Sequence, residues 1–192
     1  MLEKSLQQYT IILASGSPRR HQFFKDLQLD FSIQTKEVDE IFSDTLKGTE
    51  ITDYLCELKS NAFTELKDSD LLITADTIVW SNQEALGKPK DVDDAKNILQ
   101  SLSGKTHEVM SSVCLRSNSK KVIFNDTTTV FFKELSKEEI EFYIENYQPF
   151  DKAGAYGIQD WIGLIGVEKI VGSYFNVMGL PVQKLYSELL KF

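Results

Sequence analysis

Apolar and polar positions come in blocks whose period changes along the chain. Ile11-Ile12-Leu13-Ala14 is a short apolar run of the kind a buried strand makes, and it ends in Ser15-Gly16-Ser17-Pro18. Ser17 is placed to cap a helix with Pro18 at its first position, and Phe23, Phe24 and Leu27 give that helix an apolar face. Phe31 and Ile33 alternate as in a strand. From about residue 50 to 67, Tyr54, Leu55, Leu58, Ala62, Phe63 and Leu66 keep helical spacing. Leu71-Leu72-Ile73 predicts another buried strand, with Ala75-Asp76-Thr77 at its end and Ile78-Val79-Trp80 beyond, before a turn-rich stretch from Ser81 to Lys90. Asp91 can cap a helix whose apolar face is Val92, Ala95, Ile98, Leu99 and Leu102, and Gly104 stops it. Residues 106–116 and 121–133 predict paired strands around Ser117-Asn118-Ser119. Ser136 and Glu139 have capping-box spacing for a helix through Asn146. A further strand is expected near 165–170, and a closing helix after Pro181.

Strands and helices interleave, with a hairpin in the middle. That pattern predicts an α/β fold with a mixed central sheet flanked by helices, not a purely parallel one. No linker separates two domains, so a single unit of two lobes over residues 1–192 is the expected organisation. The length of 192 residues suits one such unit.

Net charge is −8, from 21 Lys and Arg against 29 Asp and Glu. A non-specific grip on nucleic acid needs a basic face, because phosphate neutralisation dominates such binding. An anionic membrane surface repels the chain for the same reason. No run of 18 apolar residues occurs, MLEKSLQQYT lacks the apolar core of a signal peptide, and Cys56 and Cys114 have no pairing pattern. A cytoplasmic protein is expected. Any phosphate-bearing ligand must then be held by local cations set in an acidic body.

Such islands exist. Ser15-Gly16-Ser17-Pro18-Arg19-Arg20 joins a strand to a helix start, where unpaired N–H groups favour anions, and the paired arginines add forked donors suited to phosphate. Read alone, it is equally a capped helix with two solvated arginines, and it lacks the spacing of a Walker loop. Asp76 can bind a divalent cation or take a proton from water, and alone it is equally a turn aspartate. Val38-Asp39-Glu40 offers two more carboxylates, in isolation a solvated acidic loop. Gly87-Lys88-Pro89-Lys90-Asp91 could clamp a polyphosphate or be an exposed turn. Lys59 would ordinarily be a surface lysine. In Asp151-Lys152-Ala153-Gly154-Ala155-Tyr156-Gly157-Ile158-Gln159, glycines allow close backbone approach, and Gln159 can donate to and accept from a base edge. His21 and His107 lack metal-ligand spacing, and no serine or cysteine nucleophile motif is present. Carboxylates for a hard cation and cationic islands for phosphate remain, a set that suits phosphoryl-type hydrolysis.

Together these strings resemble the Maf family, the septum-formation-inhibitor-like nucleoside triphosphate pyrophosphatases. The resemblance rests on LASGSPRR at 13–20, VDE at 38–40, LKSNA around Lys59, ADTIV at 75–79 and GKPKD at 87–91. It continues through LSGKTHEV at 102–109, DKAGAYGIQ at 151–159 and GSYFNVMGLP at 172–181, in the family's order over nearly the whole chain. It implies an elongated, two-lobed fold like that of inosine triphosphate pyrophosphatases, with a cleft between the lobes. It also implies cleavage of a nucleoside triphosphate to monophosphate and pyrophosphate, assisted by Mg2+ or Mn2+.

By the same resemblance, Asp76 matches the family's proton acceptor and, with Glu40, the metal-binding carboxylates. Arg19, Thr77 and Gln159 match positions tied to substrate choice. Ser15, Arg20, Lys59, Lys88 and Lys152 match residues that meet the phosphates. Thr77 and Gln159 look like the branch acting on dTTP and UTP; another branch prefers 7-methyl-GTP. A homodimer is a family-level expectation. Lys59-Ser60 replaces the usual lysine-alanine pair, and Gln148 stands where the family often has an acid. A non-catalytic nucleotide-binding or cell-division regulatory protein is the rival from another class, and pyrophosphate release separates the two.

Overall fold

The computed structural model describes residues 2–192. In chain order its elements are α1 (Leu2–Ser5), β1 (Thr10–Leu13), α2 (Pro18–Asp26), β2 (Phe31–Ile33), α3 (Thr49–Asn61), β3 (Asp70–Ser81), β4 (Glu84–Leu86), α4 (Val92–Leu102), β5 (Thr106–Arg116) and β6 (Lys121–Phe132). Then come α5 (Lys137–Tyr147), a 3-10 turn (Ala153–Ala155), α6 (Trp161–Gly166), β7 (Val167–Val171), α7 (Tyr174–Val177) and α8 (Val182–Leu189). The sheet order is β2-β1-β3-β5-β6-β7, with β4 paired to β3. Parallel and antiparallel pairs both occur, as the interleaved pattern predicts.

The chain forms two compact units. Unit 1 comprises Met1–Asp76, Ser111–Asp126 and Gly179–Phe192; unit 2 comprises Thr77–Met110 and Thr127–Met178. In unit 1, β1 pairs in parallel with β2 and β3, and Ile11 stands opposite Phe31 on one side and Leu71 on the other. Ile12, Leu72 and Phe63 pack together as a buried cluster. Helix α3 is bonded to the sheet by polar side chains: Thr52 Oγ1 lies 2.6 Å from Ser112 Oγ on β5, and Asn125 on β6 donates to both carboxylate oxygens of Asp53. In unit 2, α4 and α5 bury Ala95, Leu99, Ile140, Tyr143 and Ile144 in one core with Ile162 of α6. Both helices start as their sequences dictate. Asp91 accepts from the Asp94 amide, and Ser136 and Glu139 close a reciprocal capping box.

Four local expectations are corrected. Ala75-Asp76-Thr77 does not end a strand: β3 runs unbroken from Asp70 to Ser81 and turns back through Asn82 and Gln83, both at positive φ, into β4. Helix α3 stops at Asn61, and the apolar spacing beyond it continues in coil, where Phe63 is still buried. Ser17 occupies the cap position before Pro18 but makes no side-chain capping bond; its own amide donates to Ser15 Oγ instead. Ile165 lies in α6, and the strand begins at Val167.

Candidate functional site

Period-two alternation along β3 places Thr74 and Asp76 on the same face. Helix α3 covers that face, presenting the backbone carbonyl of Cys56 and the side chain of Lys59 to it. Two rungs result. Thr74 Oγ1 donates to the Cys56 carbonyl at 2.6 Å, and Lys59 Nζ donates to Asp76 Oδ1 at 2.5 Å. Glu40 joins from the 38–40 segment, its Oε1 2.9 Å from the same ammonium. Asp76 is 6% exposed, so its carboxylate is held inside the protein by a charged partner.

Arg20 completes this group in unit 1. Its Nε donates to the Gly179 carbonyl at 2.8 Å, and one terminal nitrogen donates to the Ala75 carbonyl at 2.8 Å and to Ser15 Oγ at 3.4 Å. The guanidinium is therefore fixed to backbone next to Asp76. Burial draws its pKa below the ordinary value, and the charges of Asp76 and Glu40 oppose that shift. Ser15 is buried, and its carbonyl lies 2.6 Å from His21 Nε2, which ties the strand end to α2. Ser15, Arg20, Glu40, Lys59 and Asp76 are thus gathered, while Arg19 precedes Arg20 on the first turn of α2 and is half-buried.

Thr77, Lys88, Lys152 and Gln159 belong to unit 2. The Gly154 amide donates to the Gly87 carbonyl at 3.0 Å, so the turns carrying Lys88 and Lys152 lie side by side. Gly154 has φ +69, and a Cβ there would stand 2.6 Å from Val79 Cγ2, so only glycine fits. Lys152 Nζ pairs with Asp151 at 2.6 Å and stands 3.9 Å from Asp160 Oδ2. Gln159 is exposed, one residue before Asp160. Tyr156 packs rather than stacks on solvent: it is buried edge-on against Phe132 and bonded through its hydroxyl to His107 Nε2 at 2.8 Å.

Sequence reasoning missed Thr74, the Gly179 carbonyl, Tyr143 and Asp160. Tyr143 alone carried a signal, since a tyrosine on an apolar helix face must find a partner for its hydroxyl. The thiols are excluded as nucleophiles: both are buried, and burial pushes each above the ordinary cysteine range.

The donor set suits a hard divalent cation. Asp76 and Glu40 converge on one ammonium, so this position already accommodates positive charge between two carboxylates. No cluster of three or more His, Cys, Asp or Glu able to cage a metal occurs among the described residues.

Residues 10–192 match the family model described as Maf-like protein. A protein of Flavobacterium johnsoniae named dTTP/UTP pyrophosphatase is 57% identical over 190 residues, covering 98% of each chain. Proteins of the same name from Flavobacterium psychrophilum and Parabacteroides distasonis are 58% and 46% identical over essentially full length. Among solved structures, a HAM1 protein from Coxiella burnetii superimposes with a TM-score of 0.55 over 96% of this chain and 100% of its own, at 13% identity. That likeness establishes a shared α/β fold. No helix among the described residues is long and apolar enough to cross a membrane.

Proposed function

Because the chain belongs to the Maf family, we propose that it is a nucleoside triphosphate pyrophosphatase that hydrolyses dTTP and UTP to the monophosphate and pyrophosphate. The observation that carries this reading is the arrangement in unit 1: a buried carboxylate, a lysine shared with a second carboxylate, and an arginine fixed to backbone beside them.

Water attacks the α-phosphorus, and its oxygen forms the new bond as the bond to the α,β-bridging oxygen breaks. The water's proton passes to the Asp76 carboxylate, and pyrophosphate leaves. Asp76 suits this part because β3 and Lys59 fix its position, and a positioned general base contributes roughly 10²–10⁴-fold. Arg20, Lys59, Lys88 and Lys152 offset the phosphate charge, Ser15 offers its hydroxyl to a phosphate oxygen, and pre-set donors of this kind spare the reorganisation that water would need. Arg19, Thr77 and Gln159 discriminate the base. Asp76 and Glu40 are the residues that would hold Mg2+ or Mn2+, whose part is to neutralise phosphate charge when bound.

The test is a panel of dTTP, UTP, CTP, GTP and 7-methyl-GTP with Mg2+ or Mn2+, run in water enriched in heavy oxygen. Turnover should favour dTTP and UTP, cease on chelation, and place the label in the monophosphate. Preference for 7-methyl-GTP, label in pyrophosphate, or no turnover would overturn the proposal.

A further inference from the structure

The residues from Gly157 to Asp160 form a tight turn, closed by the Asp160 amide donating to the Gly157 carbonyl at 3.0 Å. Ile158 and Gln159 are its central residues. Ile158 points into the core and Gln159 outward. One group grips both ends of this turn. The hydroxyl of Tyr143, on α5, accepts from the Gly157 amide at 3.0 Å and donates to Asp160 Oδ2 at 2.8 Å. Tyr143 is fully buried and stacks on Tyr147 with ring centroids 5.2 Å apart, so it cannot follow the turn if the turn moves. The turn has little slack of its own. A Cβ on Gly157 would stand 2.5 Å from Asp160 Oδ2 and 3.0 Å from Gln159 Nε2, so backbone, carboxylate and carboxamide are already in close array. Asp160 sits at the cap position of α6 yet makes no capping bond, because its carboxylate faces Tyr143 and, at 3.9 Å, Lys152.

We infer that Tyr143 is a positioning residue for substrate selection: its hydroxyl, bonded to both ends of the 157–160 turn, sets the orientation from which Gln159 meets the pyrimidine base. This rests on the assignment of Gln159 to base discrimination in the proposed function. The phenol's choice of partners matters. A serine or water would be free to rotate or leave, whereas a ring locked in the core delivers one donor and one acceptor at a fixed point. Asp160 is shared between this clamp and Lys152, so the same carboxylate links the base-reading turn to a phosphate-meeting lysine.

The experiment compares wild type, Tyr143→Phe and Asp160→Ala as full-length enzymes with Mg2+, measuring kcat and KM for dTTP, UTP and dCTP. The expected result for Tyr143→Phe is a roughly tenfold rise in KM for dTTP and UTP, about 1.4 kcal/mol of lost positioning. The kcat should change by less than about twofold, and the preference for dTTP over dCTP should fall by about the same tenfold. Asp160→Ala, which removes the acceptor of the Tyr143 hydroxyl from a side chain only 17% exposed, should lower the same preference, and the double variant should be no worse than the more affected single. If both single variants keep the wild-type KM values and preference while only the melting temperature falls, Tyr143 is a structural residue and the inference is overturned. A loss of kcat at unchanged KM overturns it too. Failure of the wild type to hydrolyse dTTP and UTP strikes the proposed function instead, so the two failures are distinguishable.

Discussion

Replacing Lys59 by methionine keeps the length and apolar stem of the side chain and removes only its charge. In the protein that charge lies 2.5 Å from Asp76 Oδ1 and 2.9 Å from Glu40 Oε1, with the lysine side chain 20% exposed, Asp76 8% and Glu40 49%. The Glu40 contact is half in water and contributes at most about 1 kcal/mol. The Asp76 contact is different, because the variant strands a buried carboxylate without its partner. Breaking a buried pair from one side costs roughly 3–5 kcal/mol, and the residual exposure of Lys59 places this case near about 3 kcal/mol. For a chain of this length that is a fall in melting temperature of about 6–12 °C. The mechanism of the loss is specific, so it has a specific signature. In Asp76→Asn the stranded charge is gone, and adding Lys59→Met to it should cost far less than adding it to wild type. Urea unfolding of the four proteins should give a coupling energy of about 2 kcal/mol. Additivity within about 0.5 kcal/mol would refute the claim that the two groups depend on each other.

Acid should destabilise the fold through His107. Burial lowers its pKa from 6.5 to about 4, so the folded protein holds it neutral while the unfolded chain binds a proton. The contribution is fully present above pH 6.5 and lost as pH falls toward 4, at about 1.4 kcal/mol for each pH unit, or about 3 kcal/mol in all. Wild type should therefore lose stability relative to His107→Phe as pH falls through that window, by urea unfolding; a difference between the two that stays constant with pH would contradict it. Gly154→Ala forces a positive-φ alanine against Val79 and should cost at least about 2 kcal/mol. Measured in a Val79→Ala background, the same substitution should cost less by its steric part, as thermal melting of the four proteins reads. Ser136→Ala should remove about 1 kcal/mol of stability through the lost cap, while kcat and KM for dTTP stay at wild-type values.

Features written in local spacing were legible: the Asp91 and Ser136 caps, the 106–116 and 121–132 strand pair, and the mixed sheet. β3 was not. A polar pair amid apolar residues reads as a strand end, because a buried Thr74 and Asp76 are expensive without partners. Their partners are the Cys56 carbonyl and Lys59, residues of a helix that only the fold brings near. The extent of α3 misled for a related reason: Phe63 is buried from coil, so apolar spacing outlasts the helix that began it. The charged residues of the candidate site could be named from motif strings, but their division of labour could not. Nothing in VDE or LKSNA says that Glu40 and Asp76 share one lysine. Nothing in the 151–159 string says that a tyrosine on α5 holds the turn at its end.

The most direct test of the central claim, that Asp76 takes the proton as water cleaves the triphosphate, is pyrophosphate release from dTTP and UTP by wild type and Asp76→Asn at saturating Mg2+. The variant should fold, as circular dichroism can establish, and its kcat should fall by about 10³-fold or more. An Asp76→Asn enzyme that is folded and turns over within about threefold of wild type would contradict the account.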